Sequence, residues 1–298
     1  MPFQRREFLR TSLATAGLIG AGGLPALLAD DSRPPQKRPQ LKKAVKFGMI
    51  GIQGSVEEKF NLIKSLGFEG VEMDSPSGIN RDEVVAAVKS TGILVHGVVD
   101  SIHWKIRLSD PDPKIRQQGL EGMETALRDC KYYGGTTVLI VPGKVSDPKT
   151  ENYEQVYARS QEQIKKAIPL AEELGVKIAI EVVWNDFITS PEQLVQYVDD
   201  FKSPTVGAYF DCSNMLKYKV PSEVWIRKLG PRMFKFDFKG YSHDKKWVKI
   251  GDGDENWHEI MKALADVGYN GWATAEVGGG GKDVLADISA RMDRIFNA

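Results

Sequence analysis

The sequence predicts a single closed (β/α)8 TIM barrel, and three observations predict it. From Ala44 to the C-terminus, short apolar runs alternate with helical patterns, giving eight strand–helix pairs. The phrases SLGFEGVEM, STGILVHGV, ELGVKIAIE and DVGYNGWATAE share one design, in which a helix end is followed by a glycine cap and then a strand. The last four apolar runs each deliver an acid at or near their ends: Glu181, Asp211, Asp237 and Glu276. In an α/β barrel the C-terminal ends of the strands form the mouth where chemistry is done. The rival architecture, an open doubly wound sheet, usually carries a G-x-G-x-x-G turn after its first strand, whereas this chain reads GIQGSVEE there.

The elements follow in order. Val45–Ile50 is the first expected strand. Val56–Leu66 is a helix with Phe60, Ile63 and Leu66 on one face, closed by Gly67. Gly70–Met73 is a strand, Arg81–Ser90 a helix closed near Gly92, and Ile93–Val99 a strand. Lys114–Tyr133 is a long amphipathic helix with Leu120, Met123, Leu127 and Cys130 at helical spacing. Thr136–Val141 is a strand stopped by Pro142-Gly143, and Tyr153–Leu174 is the next helix. Ile178–Glu181 is the fifth strand, and Pro191–Phe201 is a helix with Ser190 as N-cap. Val206–Phe210, Ser222–Leu229, Met233–Phe238, Trp257–Val267, Gly271–Ala275 and Val284–Phe296 complete the alternation.

Before the barrel the chain has a different character. Arg5-Arg6-Glu7-Phe8-Leu9-Arg10 is a twin-arginine pattern, followed by the weakly apolar stretch Thr11–Leu28 and Ala29. That stretch holds four Gly and a Pro, which makes a poor spanning helix. Residues 1–29 therefore read as a twin-arginine export signal, with a soluble periplasmic product and no stable membrane anchor after cleavage. Residues 30–43, rich in Pro, Lys and Arg, read as a linker, and 44–298 as the barrel. Without residues 1–29 the chain keeps 37 basic and 39 acidic residues, a balance that argues against a nucleic-acid partner. The two cysteines, Cys130 and Cys212, do not make a disulfide framework and read as free thiols.

Several acids and polar groups fall at strand ends: Glu72 or Asp74 after the second, Asp100 and His103 after the third, then Glu181, Asp211, Asp237 and Glu276. A lone acid there is ordinarily a cap or a solvated group. Four acids on four neighbouring strands lie on one arc of the rim, where their mutual repulsion is relieved by a divalent cation. Oxygen ligands of this kind suit Mn²⁺ or Mg²⁺, with Ca²⁺ and Zn²⁺ as alternatives.

The stretches IHWKIRLSDPDPKIRQQGLEGMETALRDCKYYGGTTVLIVPG, IEVVWNDFITSPEQLVQYVDDFKSPTVGAYFDCSN and WATAEVGGG resemble the xylose isomerase-like barrel superfamily of sugar isomerases and epimerases. More narrowly, they resemble its hexulose-phosphate isomerase and xylulose-phosphate 3-epimerase branch. The resemblance runs from about Lys46 to the C-terminus. It implies a divalent metal held by Glu181, Asp211, Asp237 and Glu276, with Glu181 and Glu276 also serving as the acid/base pair. The family shows His-x-Lys-Asp where this chain has Asp237-Phe238-Lys239-Gly240, so Asp237 stands in place of a His. Four carboxylates around one dication leave a negative surplus, and Lys239, two residues beyond Asp237 on the same strand face, is expected to pair with one of them.

The expected chemistry is proton transfer next to a carbonyl through an enediolate, giving isomerisation or epimerisation of a sugar or keto-sugar. His103, Trp104, Trp184, Asn185, Asn214, Lys239 and Glu72 are the expected substrate-binding residues. Gly278–Gly281 could cradle a phosphate or act as a hinge, and export argues for an unphosphorylated sugar. A keto-sugar dehydratase or lyase, or an inactive exported sugar-binding barrel, are the alternatives. An apurinic endonuclease would want more histidines than the four present, and a Schiff-base aldolase on Lys239 is a weaker idea. A homodimer is the assembly allowed for.

Overall fold

The structure is a computed structural model and describes residues 38–298. The expected export signal, residues 1–29, and residues 30–37 of the expected linker lie outside the described residues. Eight parallel strands close into one barrel: β1 (Leu41–Lys46), β2 (Gly70–Ser75), β3 (Leu94–Asp100), β4 (Thr137–Ile140), β5 (Lys177–Glu181), β6 (Val206–Asp211), β7 (Met233–Phe238) and β10 (Gly271–Ala275). β8 (Tyr241–Ser242) and β9 (Lys246–Trp247) form a small antiparallel hairpin on the rim after β7. The helices are α1 (Val56–Ser65), α2 (Arg81–Thr91), α3 (Pro113–Tyr133), α4 (Tyr153–Leu174), α5 (Pro191–Asp199), α6 (Ser222–Leu229), α7 (Trp257–Asp266) and α8 (Lys282–Asn297).

The helix boundaries follow local chemistry. Ser55 and Asn152 begin α1 and α4 with reciprocal capping boxes to Glu58 and Gln155. Gly67, Gly92, Gly175 and Gly268, the glycines of the four repeated phrases, all have positive φ, so the repeated helix–Gly–strand phrase is a repeated turn geometry. Ser190 caps α5 as expected. Among the described residues no helix is long and apolar enough to cross a membrane.

One strand differs from expectation. β1 begins at Leu41, inside the expected linker, and ends at Lys46, while Phe47–Met49 turn into a short 3-10 segment. The sequence LKKAVK looks too polar for a buried strand, but each lysine has a partner. Lys42 lies over the Trp272 ring, Lys43 reaches Ser289 and Asp293 on α8, and Lys46 turns into the barrel. Long lysine stems cover apolar surface while their charges find acids, which hides a strand from a hydrophobicity reading.

The large apolar core fills the layer between sheet and helices, with Phe60, Trp225, Phe210, Phe236 and Phe238 all buried there. Strand alternation leaves the other set of side chains inside the barrel. Leu139, Ala179 and Tyr209 form a small apolar plug, and above and below it the interior is polar. Lys235 donates to the His96 carbonyl at 3.0 Å, His96 Nε2 meets Thr274 Oγ1 at 3.2 Å, and Thr274 meets the Tyr209 hydroxyl at 3.2 Å. This network satisfies buried polar groups that no apolar packing could accommodate. Both cysteines are free and buried, and burial pushes the Cys130 thiol up to about 12.

Candidate active site at the barrel mouth

Period two along β7 puts Lys235, Asp237 and Lys239 on the inward face, and the same alternation turns Asp211 and Glu181 inward. Glu276 directly follows β10, and its backbone N–H bonds the Phe238 carbonyl at 2.9 Å, so its position is set by the sheet. One ligand oxygen from each of Glu181, Asp211 and Glu276 lies within 4.8 Å of the others. Asp237 pairs in register with Asp211, yet its carboxylate is not in that group. Its Oδ2 lies instead 3.0 Å from Lys46 Nζ, which also donates to Glu72 Oε2 at 2.6 Å.

Lys239 Nζ sits between two members of the group, 3.1 Å from Asp211 Oδ2 and 2.8 Å from Glu276 Oε2. Burial alone would lower its pKa, but Asp211 and Glu276 outweigh that and raise it, so it is an ammonium. Burial, and then the charge of Glu276, holds Glu181 well above the usual carboxylate range. Burial would raise Glu276 too, but Lys46 and Lys239 bring it below its ordinary value. The two glutamates thus occupy environments that push their proton affinities apart. Asp211 is raised by burial, with Lys239 opposing. Its Oδ1 accepts the backbone N–H groups of Ser213 and Asn214 at 2.8 and 3.0 Å, which fixes the carboxylate.

A divalent ion fits this donor set. Three carboxylates at one mouth offer hard oxygen ligands at mutual distances that one ion can span, and two of these carboxylates already attract the Lys239 ammonium. Glu181, Asp211 and Glu276 are the residues that would hold it.

The remaining expected site residues divide. Asn214 stays with the group, donating from Nδ2 to Glu181 Oε1 at 3.4 Å and to the Val182 carbonyl at 3.2 Å. His103 is buried beside the site; its Nδ1 accepts the Val141 N–H at 3.4 Å and its Nε2 has no partner. Burial, and then Lys46, push its pKa down to about 3, so the ring is neutral and Nε2 carries the proton. Trp104 packs edge-on to His103 and is otherwise exposed. Trp184 donates to the Asn214 carbonyl at 3.0 Å and stacks on Trp247 of the hairpin, centroids 5.0 Å apart, with Tyr241 perpendicular to it. Asn185 is a loop clamp: Nδ2 donates to the Gly143 carbonyl at 2.5 Å and Oδ1 accepts from Phe187 N–H, leaving it poorly placed to bind a sugar. Glu72 is spent on Lys46.

Gly278–Gly281 is neither open cradle nor free hinge. Gly280 N–H bonds the Met49 carbonyl at 3.0 Å and Gly51 N–H bonds the Gly280 carbonyl at 2.9 Å, tying this loop to the segment after β1. Asp100 turns away from the acid group, its Oδ1 accepting the Ile102 N–H at 3.3 Å. Burial pushes it up to about 7 from an ordinary 3.8. Between those values the unfolded chain holds fewer protons than the folded one, so this group makes stability fall as pH rises through the window. Asp100→Asn is therefore expected to gain about 2 kcal/mol at pH 8 and nothing below pH 4, read by urea unfolding at both pH values.

Three features of the site escape a sequence reading. Lys46 is hidden by the misplaced first strand. The β8–β9 hairpin brings Tyr241 and Trp247 onto the rim, and its two-residue strands are too short to show periodicity. Glu255 braces the loop after Asp211, accepting from Ser213 Oγ and Tyr241 N–H, both at 2.6 Å.

A cavity of about 760 Å³ starts at Lys239 and Glu276 and runs past Trp247 to Val284 and Ile288. A larger one, about 1010 Å³, opens at the opposite end of the barrel beside Lys42, Lys177 and Lys235. Size favours the second, but in this architecture chemistry sits at the C-terminal ends of the strands, where the acids converge.

A closed (β/α)8 barrel with acids gathered at its C-terminal mouth defines a class of barrel enzymes. The chain belongs to the xylose isomerase-like TIM barrel family, whose sequence profile matches residues 60–294. It is similar to L-ribulose-5-phosphate 3-epimerase UlaE of Escherichia coli K12, 26% identical over 237 residues that cover 72% of this chain and 79% of that protein. Among solved structures, the 3-keto-D-glucoside 4-epimerase YcjR from E. coli superposes with a TM-score of 0.74 at 17% identity, covering 87% of this chain and all of that one. The IOLI protein, with a bound zinc atom, superposes with a TM-score of 0.75 at 14% identity, covering 86% and 98%.

Proposed function

We propose that this protein is a divalent-metal-dependent isomerase or epimerase of an unphosphorylated sugar or keto-sugar. The observation that carries this reading is the convergence of Glu181, Asp211 and Glu276 within 4.8 Å. The likeness to proteins named as sugar epimerases supports the reaction class. The all-oxygen donor set favours Mn²⁺ or Mg²⁺.

A bound dication would supply Lewis-acid polarisation of the substrate carbonyl and stabilise the developing enediolate charge. The chain's own groups do the rest. Glu276, kept ionised by Lys46 and Lys239, takes the proton from the carbon beside the carbonyl. Glu181, across the group, holds and returns a proton from the other side, and Asn214 fixes its orientation. His103 Nε2–H, buried and without a partner in the protein, would serve as a donor to a sugar oxygen. Lys46 and Lys239 are already committed to carboxylates, and the Gly280 N–H is committed to Met49, which leaves little to receive a phosphate.

The test is incubation of candidate keto-sugars, free and phosphorylated, in D₂O with Mn²⁺. Deuterium should enter at a carbon next to the carbonyl, seen by NMR, and stop when the protein is stripped with a chelator. Metal-loaded protein that exchanges no carbon-bound proton in any sugar would overturn the reading.

A further inference from the structure

Five carboxylates face the upper barrel interior; four of them fall into two pairs, each around one lysine, and Glu181 stands beside the first pair. Lys239 bridges Asp211 and Glu276 near solvent. Lys46 bridges Glu72 and Asp237 deeper in, where both carboxylate side chains are fully buried. Lys46 is the last residue of β1 and pairs in register with Glu72 on β2. To reach Asp237 on β7 it passes β10, whose Thr274 is in register with both Ala44 and Asp237. Its ammonium also lies 5.0 Å from the centroid of the Tyr209 ring, which forms the floor beneath it. Burial would discharge this lysine, but Asp237 and Glu72 outweigh that and keep it charged.

The charges decide what this arrangement does. With all five ionised, the carboxylates would exceed the two ammonium groups by three negative charges, and a dication would reduce that to one. A buried carboxylate without a cation is costly, so Asp237 and Glu72 each need Lys46 or a metal. Lys46 meets that need at 2.6 and 3.0 Å.

We propose that Lys46 is a built-in cation that holds Asp237 and Glu72 outside the metal's coordination shell. The protein's share of that shell is then three carboxylates, Glu181, Asp211 and Glu276, and the remaining positions are open to the substrate's oxygens. Lys46 is a positioning residue: it sets how many protein ligands the ion receives. This rests on the metal reading above, and the test separates the two.

The experiment titrates Mn²⁺ into chelator-stripped protein, with calorimetry and the EPR signal of free Mn²⁺ as readouts and circular dichroism as the folding check. Asp211→Asn should weaken Mn²⁺ binding more than about hundredfold, whereas Asp237→Asn should change it by less than about tenfold. Lys46→Met removes a repelling charge and releases Asp237, and should tighten binding about tenfold or more. Where Lys46→Met fails to fold, the charge-balanced Lys46→Met/Asp237→Asn variant replaces it and should stay within about tenfold of the wild type. Asp237→Asn as damaging as Asp211→Asn, or Lys46→Met with no tighter binding, would overturn the inference and leave the metal reading standing. Wild-type protein that takes up no Mn²⁺ would remove both.

Discussion

Glu276→Gln is expected to abolish turnover and leave the barrel folded. The residue sits at the solvent-facing side of the acid group, with its side chain 34% exposed, and its backbone position is set by the bond from its N–H to the Phe238 carbonyl. The amide keeps the shape but cannot take a proton and is a poorer partner for both Lys239 and a dication. Removing a general base ordinarily costs ~10²–10⁴ in rate, and loss of a metal ligand adds to that. Stability should change little, because the ion pair lost with Lys239 is offset by weaker repulsion of Glu181. The checks are deuterium exchange into the sugar and a thermal melt. Activity within tenfold of the wild type would refute the role given to Glu276.

Gly279→Ala is expected to be strongly destabilising at the rim. A methyl at this position would run into the backbone of Met49, whose carbonyl accepts the Gly280 N–H while Gly51 N–H bonds the Gly280 carbonyl. Backbone cannot rotate aside as a side chain can, so the loop must shift. The cost should be about 3 kcal/mol, lowering the melting temperature by roughly 6–12 °C in a domain of this size. The loop carries Glu276 at its start, so kcat should fall as well. Gly278→Ala supplies the contrast: nothing lies within 4 Å of a methyl there, and the variant should melt close to the wild type. Equal melting temperatures for the two variants would show that the close approach to Met49 does not constrain the loop.

Much of the mouth was legible along the chain because it is written locally. Glu181, Asp211 and Glu276 each stand at or just past the end of an apolar run, and a parallel strand buried on both faces must be apolar until it reaches the rim. Lys239 was legible for the same reason, since period two puts it on the face of Asp237. Asp237 itself shows where local reading stops. Its strand and face were readable, but its partner lies on the first strand, far away in sequence. Asn185 failed for a related reason: its amide looked free beside Glu181, whereas the fold brings Gly143 against it.

By itself the sequence determined the alternation, the glycine-capped helix ends, the single closed barrel and three of the four acids expected to meet. Periodicity, capping and strand-end chemistry act over a few residues and need no knowledge of the rest. Only the tertiary structure decided which acid faces which cation. Lys46 could be recognised as the partner of Asp237 and Glu72 only after the barrel had closed and β1, β2 and β7 surrounded one interior. Charge pairing acts through space at about 3 Å, and distance along the chain carries no record of it.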